Sequence, residues 1–217
     1  MRKLEFYFDY LSPYAYFAWR KVEKFCSSHN IELIIKPIVF GKLLDHWGQL
    51  GPAEISPKRD WLIKYCLFYA QQNEIPLLFP KNHPFNSLTA LRASLTEVSG
   101  SYQSKLVSAI FESGWGKGAD IGNSDVISEI VKNVGLDPQE VIDAVAKDET
   151  KLLLKESTNE AISKGVFGIP TIIYDEELFW GNDQFEYLSQ IIKDEYRAND
   201  ELVRDIIARP RAIDRQR

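Results

Sequence analysis

Phe8-Asp9-Tyr10-Leu11-Ser12-Pro13-Tyr14-Ala15-Tyr16 reads as a strand running straight into a helix, with a hydroxyl at the junction. Residues 4–10 are mostly aromatic or apolar with polar interruptions at Glu5 and Asp9, the pattern of a strand. Ser12 is a favoured helix cap, and Pro13 suits the first helical position, where its missing N–H is not needed. The first N–H groups of such a helix lack intrahelical partners, so its tip attracts an anion and lowers the pKa of a thiol held there. Two readings of Ser12 follow: a routine cap, or a hydroxyl set where a thiolate is most stable.

Working outward, Tyr14, Phe17, Ala18, Val22 and Phe25 recur at helical spacing up to a stop at His29-Asn30, and residues 31–40 read as a second strand. Strand, helix and strand in so short a span predict a βαβ unit. Residues 57–73, 87–98, 102–113, 124–133, 137–147 and 149–164 each carry helix-period apolar residues, with caps at Ser56-Pro57, Ser124 and Asp137-Pro138. Strand character returns at Thr171–Tyr174 and at 178–180 around an acidic turn, a hairpin, and a helix over 183–196 follows. The fold class is therefore α/β, a sheet whose βαβ and ββα halves are separated by an all-helical insertion. The expected domains are 1–45 plus 165–217, discontinuous, and 46–164 for the insertion. Beyond residue 198 we expect one short helix over 201–208 and a basic, poorly ordered stub.

The 217 residues are 45% hydrophobic, enough for a sizeable core, and 31 acidic against 26 basic residues give a net charge of −5. That balance offers no general attraction for nucleic acid or for an anionic membrane. Neither a secretory signal nor an apolar run of membrane-spanning length is visible, so a cytoplasmic location is expected. Cys26 and Cys66 form neither a C-x-x-C pair nor a metal cluster, and no metal is expected; both read as inert buried thiols.

Two further segments carry chemistry. Gly165-Val166-Phe167-Gly168-Ile169-Pro170-Thr171 places a proline just before a strand in a glycine-flanked loop. It is either a cis Ile169-Pro170 bond beside backbone open to an added strand, or a loop proline that starts the strand. In Phe179-Trp180-Gly181-Asn182-Asp183, the last two residues are helix caps or holders of the charged ends of an amino-acid-like ligand.

Together with Pro84-Phe85-Asn86-Ser87-Leu88, these segments resemble the thioredoxin-fold family of DsbA-like oxidoreductases, kappa-class glutathione transferases and glutathione-dependent 2-hydroxychromene-2-carboxylate isomerases. The likeness spans residues 4–188. In DsbA-like members a C-x-x-C pair opens the helix; Ser12-Pro13-Tyr14-Ala15 stands there instead, and a dithiol cycle needs two sulfurs. In the isomerases and kappa-class enzymes a serine here hydrogen-bonds the sulfur of glutathione. The resemblance thus implies glutathione as cofactor and Ser12 as the stabiliser of its thiolate. Cofactor-binding positions would be Ser12, Pro13, Tyr14, Gln49, Lys58, Ile169, Pro170, Asn182 and Asp183. Among these, the Ile169 backbone would meet the cysteinyl unit, Asn182 and Asp183 the γ-glutamyl end, and Gln49 and Lys58 the glycyl carboxylate.

Magnitudes agree with such a role: lowering a thiol pKa by ~2 units requires ~2.7 kcal/mol. A hydrogen bond to a charged acceptor contributes ~1.5–3 kcal/mol and a helix tip ~0.3–1 kcal/mol.

The acceptor site departs from the family pattern. Tyr65 and Phe68 stand where many relatives carry an aspartate and an arginine, and Leu44 and Glu54 align with the isomerase's substrate-contacting lysine and asparagine. Asn86, Arg92 and Trp115 are the candidate substrate-binding residues, with His46, Trp47 and His83 as further options; each equally suits a structural place. The implied function is an isomerase whose glutathione adds reversibly to a small aromatic or conjugated carbonyl substrate, in a homodimer. A kappa-like transferase, which would consume glutathione, and a non-catalytic peptide-binding module are the alternatives.

Overall fold

A computed structural model describes residues 2–211. Its four-stranded sheet has the order β2-β1-β3-β4, with β1 at Arg2–Phe8, β2 at Ile31–Pro37, β3 at Thr171–Tyr174 and β4 at Glu177–Trp180. β1 pairs in parallel with β2, Leu4 opposite Leu33, and antiparallel with β3, Tyr7 opposite Thr171. As an interior strand it buries Leu4, Phe6, Tyr7 and Phe8 completely, which explains its nearly unbroken apolar run. The predicted βαβ unit is present, closed by α1 (Pro13–Ser28). The predicted hairpin is present too, and Asp175 and Glu176 at its turn both have positive φ, the geometry that matches the twist of the flanking strands.

Between β2 and β3 lie eight α-helices among the described residues: α2 (Phe40–Trp47), α3 (Ser56–Gln72), α4 (Leu88–Ala93), α5 (Thr96–Ser99), α6 (Gln103–Phe111), α7 (Ser124–Val134), α8 (Pro138–Ala146) and α9 (Asp148–Ser163). Of these α6, together with α1, packs on the sheet through aromatic rings. Phe111 at the end of α6 lies 5.4 Å from Phe8 and 4.6 Å from Tyr10, and Trp19 of α1 lies 5.7 Å from Phe6. Burying each such ring contributes about 1.5–3 kcal/mol. On the opposite face Tyr7 packs with Ile38, Leu43, Val166 and Ile169.

Several boundaries differ from the sequence reading for local reasons. β2 stops at Pro37 rather than at residue 40, because after the last ladder bond, from the Ile38 N–H to the Phe8 carbonyl, the Val39 and Phe40 N–H groups go to the Thr158 and Asp9 side chains and α2 follows, closed by Gly48 at φ +60°. The single helix expected over 87–98 is two, broken near Ser94, whose Oγ bonds the Ala90 carbonyl and the Tyr10 hydroxyl. Asp137 caps α8 as expected, whereas Asn123, not Ser124, caps α7.

The chain divides into two compact units, Met1–Asp183 and Gln184–Arg217. The second contains α10 (Phe185–Ile192), shorter than expected, and α11 (Asp200–Ala208), capped by Asn199. Of the basic stub expected after residue 208, residues 212–217 lie outside the described residues. No described helix is long and apolar enough to cross a membrane.

Candidate active site

The pairing registers bring three segments to one end of the sheet. β1 finishes at Phe8, β3 begins at Thr171 opposite Tyr7, and β4 finishes at Trp180 opposite Thr171. Asp9–Ser12, Ile169-Pro170 and Asn182-Asp183 therefore all leave the sheet at the same end. The Gly181 N–H donates to the Pro170 carbonyl at 3.0 Å, which ties the second and third of them together.

Ser12 caps α1 as the sequence predicts, with extended backbone, and is only 8% exposed. Its Oγ accepts the Ala15 N–H at 3.1 Å, and among the described residues its own O–H has no acceptor. Pro13 is the first helical residue. A buried hydroxyl with a spare proton at a helix tip can donate to an anion.

The backbone on the approach to Ser12 is held at every polar group. Wholly buried Asp9 accepts the Leu11 N–H on Oδ1 (3.1 Å) and the Phe40 N–H on Oδ2 (3.0 Å), joining β1, the junction and α2. Burial pushes the Asp9 pKa up, against hydrogen bonds from Phe40, Ser87, Leu11 and Tyr10 that favour the carboxylate. Trp115 donates its indole N–H to the Tyr10 carbonyl (2.7 Å), and His83 donates Nε2–H to the Leu11 carbonyl (2.9 Å), the only role an imidazole nitrogen can take toward a carbonyl. Ser12 N–H returns to the Asp9 carbonyl at 3.2 Å.

The second arm is different. The Ile169-Pro170 bond is cis, and Ile169 is almost buried. Among the described residues neither its N–H nor its carbonyl takes part in a hydrogen bond. A Cβ at Gly168 beside it would sit 2.5 Å from the Trp180 indole nitrogen, so a larger residue there would have to displace that half-exposed ring. Asn182 is buried and its Nδ2 has no partner. Asp183 is exposed.

α3 flanks the tip. Tyr14 lies 6.2 Å from Tyr65 and Phe17 4.8 Å from Tyr69, so α1 and α3 run in the same direction. Burial, then the neighbouring Cys66, Tyr65 and Asp183, push the Tyr14 pKa up, which puts Asp183 within electrostatic reach of the α1 start. Lys58 lies seven residues before Tyr65, about 10 Å further along the helix axis and beyond the Ser12 tip; it and Gln49 are both exposed.

Of the candidate substrate-binding residues, Trp115 adjoins the junction, Asn86 just precedes α4 and Arg92 lies on it. Asn86 Oδ1 accepts the Leu88 N–H at the start of α4. Arg92 is half-buried on α4 with an unpartnered Nε. Trp115 is fully buried, its indole spent on Tyr10. Sequence reasoning missed Asp9, though an Asp two residues before a backbone N–H at a strand end is an Asx-turn signal. Burial pushes the Cys26 and Cys66 thiols up to about 11 and about 12, which makes them unreactive near neutrality. Among the described residues no group of His, Cys, Asp and Glu could hold a metal.

This geometry defines a class: a four-stranded α/β sheet of order β2-β1-β3-β4 interrupted by helices, with a serine capping the helix that follows its first strand. More particularly, the chain belongs to the DSBA-like thioredoxin domain family, whose model matches residues 3–193. It is 28% identical over 193 residues to a 2-hydroxychromene-2-carboxylate isomerase of Pseudomonas sp. (strain C18), covering 87% of this chain and 89% of that protein. It is 23% identical over 213 residues to glutathione S-transferase kappa 1 of Rattus norvegicus, covering 90% and 92%. Among solved structures, a 2-hydroxychromene-2-carboxylate isomerase superposes with a TM-score of 0.82 at 26% identity, over 92% of this chain and 98% of that one.

Proposed function

We propose that the protein is a glutathione-dependent isomerase of the 2-hydroxychromene-2-carboxylate isomerase type, with Ser12 stabilising the cofactor thiolate. The observation that carries this reading is the Ser12 hydroxyl: buried at a helix tip, already accepting Ala15 N–H, with its proton unspent. The other residues of the proposed set suit a γ-glutamyl peptide. The Ile169 backbone offers an unpaired N–H and carbonyl, the Asn182 Nδ2 lacks an acceptor, the Asp183 carboxylate suits an ammonium, and Lys58, with Gln49, suits a carboxylate. When bound, glutathione supplies the thiol that adds reversibly to a conjugated carbonyl compound. Ser12 donates its proton toward the sulfur position, and the N–H groups of the first turn of α1 add their positive potential. Pro13 and Tyr14 hold that turn.

The test is ultraviolet thiolate absorbance of reduced glutathione at neutral pH. The wild-type protein should raise it, and Ser12→Ala should abolish it and slow turnover by about a hundredfold, the scale for loss of one anion-stabilising donor. Losing the cap costs about 1 kcal/mol, so the variant still folds. A wild-type protein that raises no thiolate sinks the reading. Recovery of glutathione after turnover marks the isomerase, and its consumption a kappa-like transferase. A peptide-binding module would instead keep its affinity in Ser12→Ala. The same proposal includes a small aromatic or conjugated carbonyl substrate, a homodimer, checked by light scattering, and a cytoplasmic location.

A further inference from the structure

The Leu11-Ser12 peptide is the last unit before the helix tip, and its two polar groups are held from different parts of the fold. Its N–H goes back to Asp9 within the junction, but its carbonyl reaches 72 residues along the chain to His83. The His83 ring is set in place by packing, 5.3 Å from Trp115 and 6.1 Å from Phe85, and Trp115 in turn holds the Tyr10 carbonyl. No other described side chain bonds the Leu11 carbonyl. An unbonded carbonyl oxygen one residue before Ser12 would carry partial negative charge next to the place where an anion is to be stabilised, and would leave that peptide plane free to rock.

We infer that His83 is a positioning residue for the thiolate site: its Nε2–H neutralises the Leu11 carbonyl and fixes the peptide plane that aims the Ser12 hydroxyl. This rests on the glutathione reading above. His83 acts through Leu11 and Ser12 and donates in either protonation state; burial lowers its pKa, against the pull of the Leu11 carbonyl, so the neutral Nε2–H form carries the bond near neutrality.

The experiment titrates the ultraviolet absorbance of glutathione bound at saturation against pH, in wild type, His83→Leu and His83→Gln, with urea melts of each. His83→Leu should raise the pKa of the bound thiol by about half to one unit, a three- to tenfold smaller thiolate fraction below that pKa. His83→Gln, which keeps a donor at similar reach, should recover at least half of the shift. A purely structural histidine would move the melt and leave the bound thiol pKa alone. If His83→Leu fails to fold, His83→Asn, too short to span the gap, takes its place. An unshifted thiol pKa in the folded Leu or Asn variant overturns the inference, as does a shift that Gln fails to reverse. A wild-type protein without a thiolate signal overturns the parent reading and this one with it; a normal wild-type signal that ignores His83 overturns only this one.

Discussion

The two arms that meet at the end of the sheet are built in opposite ways. From Tyr10 to Ser12 every backbone polar group is bonded: to the Asp9 carboxylate and carbonyl, to Trp115, to His83 and to the first turn of α1. Across from them, the Ile169 backbone and the Asn182 Nδ2 are almost buried and have no partner among the described residues. Leaving a buried polar group unmade costs about 1–3 kcal/mol. The first arm is therefore a fully bonded mount for one hydroxyl, and the second holds unspent hydrogen-bonding capacity. On the proposed function, aim and binding are divided between them.

The comparison breaks most visibly at Trp115. Trp115→Phe keeps most of the ring volume but strands the Tyr10 carbonyl in the core, and should lower the unfolding free energy by about 2–3 kcal/mol. The urea midpoint should fall with the slope unchanged. A loss below about 0.5 kcal/mol would mean that the indole bond does not anchor the first arm.

Asn182→Ala should give the reverse signature. No protein bond of Nδ2 is lost, so the unfolding free energy should change by less than about 1 kcal/mol. Glutathione affinity, read by calorimetry, should fall by about five- to tenfold, the worth of one hydrogen bond. A large stability loss with unchanged affinity would assign Asn182 to the scaffold and erase the contrast between the arms.

How legible each arm was follows from the range of the interactions that make it. β1, the Ser12-Pro13 start and the Asp175-Glu176 turn are written in adjacent residues, and the structure reproduces them. The strand pattern over residues 31–40 overruns into Phe40, and α2 has no local start signal because Val39 supplies no capping side chain; the Phe40 N–H is instead captured by Asp9. In the sequence Asp9 reads as an alternating strand polar residue, and Trp115 and His83 as options for the substrate site or for structural places. Their place at the junction depends on contacts 31 to 105 residues apart in sequence, which no local pattern encodes.

A charged cluster away from the junction provides the control with the smallest effect. Glu160 of α9 pairs with Lys36 of β2 and with Lys164, which also bonds Glu5 of β1. Burial resists ionisation of Glu160, yet Lys164 and Lys36 outweigh it and hold its carboxyl below the ordinary range. A carboxylate with a depressed folded pKa contributes stability that is present above its unfolded value, near ~4.3, and is lost as pH falls through the folded value. Because the carboxylate is about one-third exposed, solvent screening keeps that contribution under about 1 kcal/mol. Glu160→Gln should therefore be slightly less stable than wild type at neutral pH, with the difference vanishing in acid. The pKa of bound glutathione should not move in this variant, because the tip is set by the junction rather than by distant charge on the sheet. A shift comparable to that of His83→Leu would show that the thiolate responds to long-range electrostatics, and the division between a locally built mount and an open binding arm would fail.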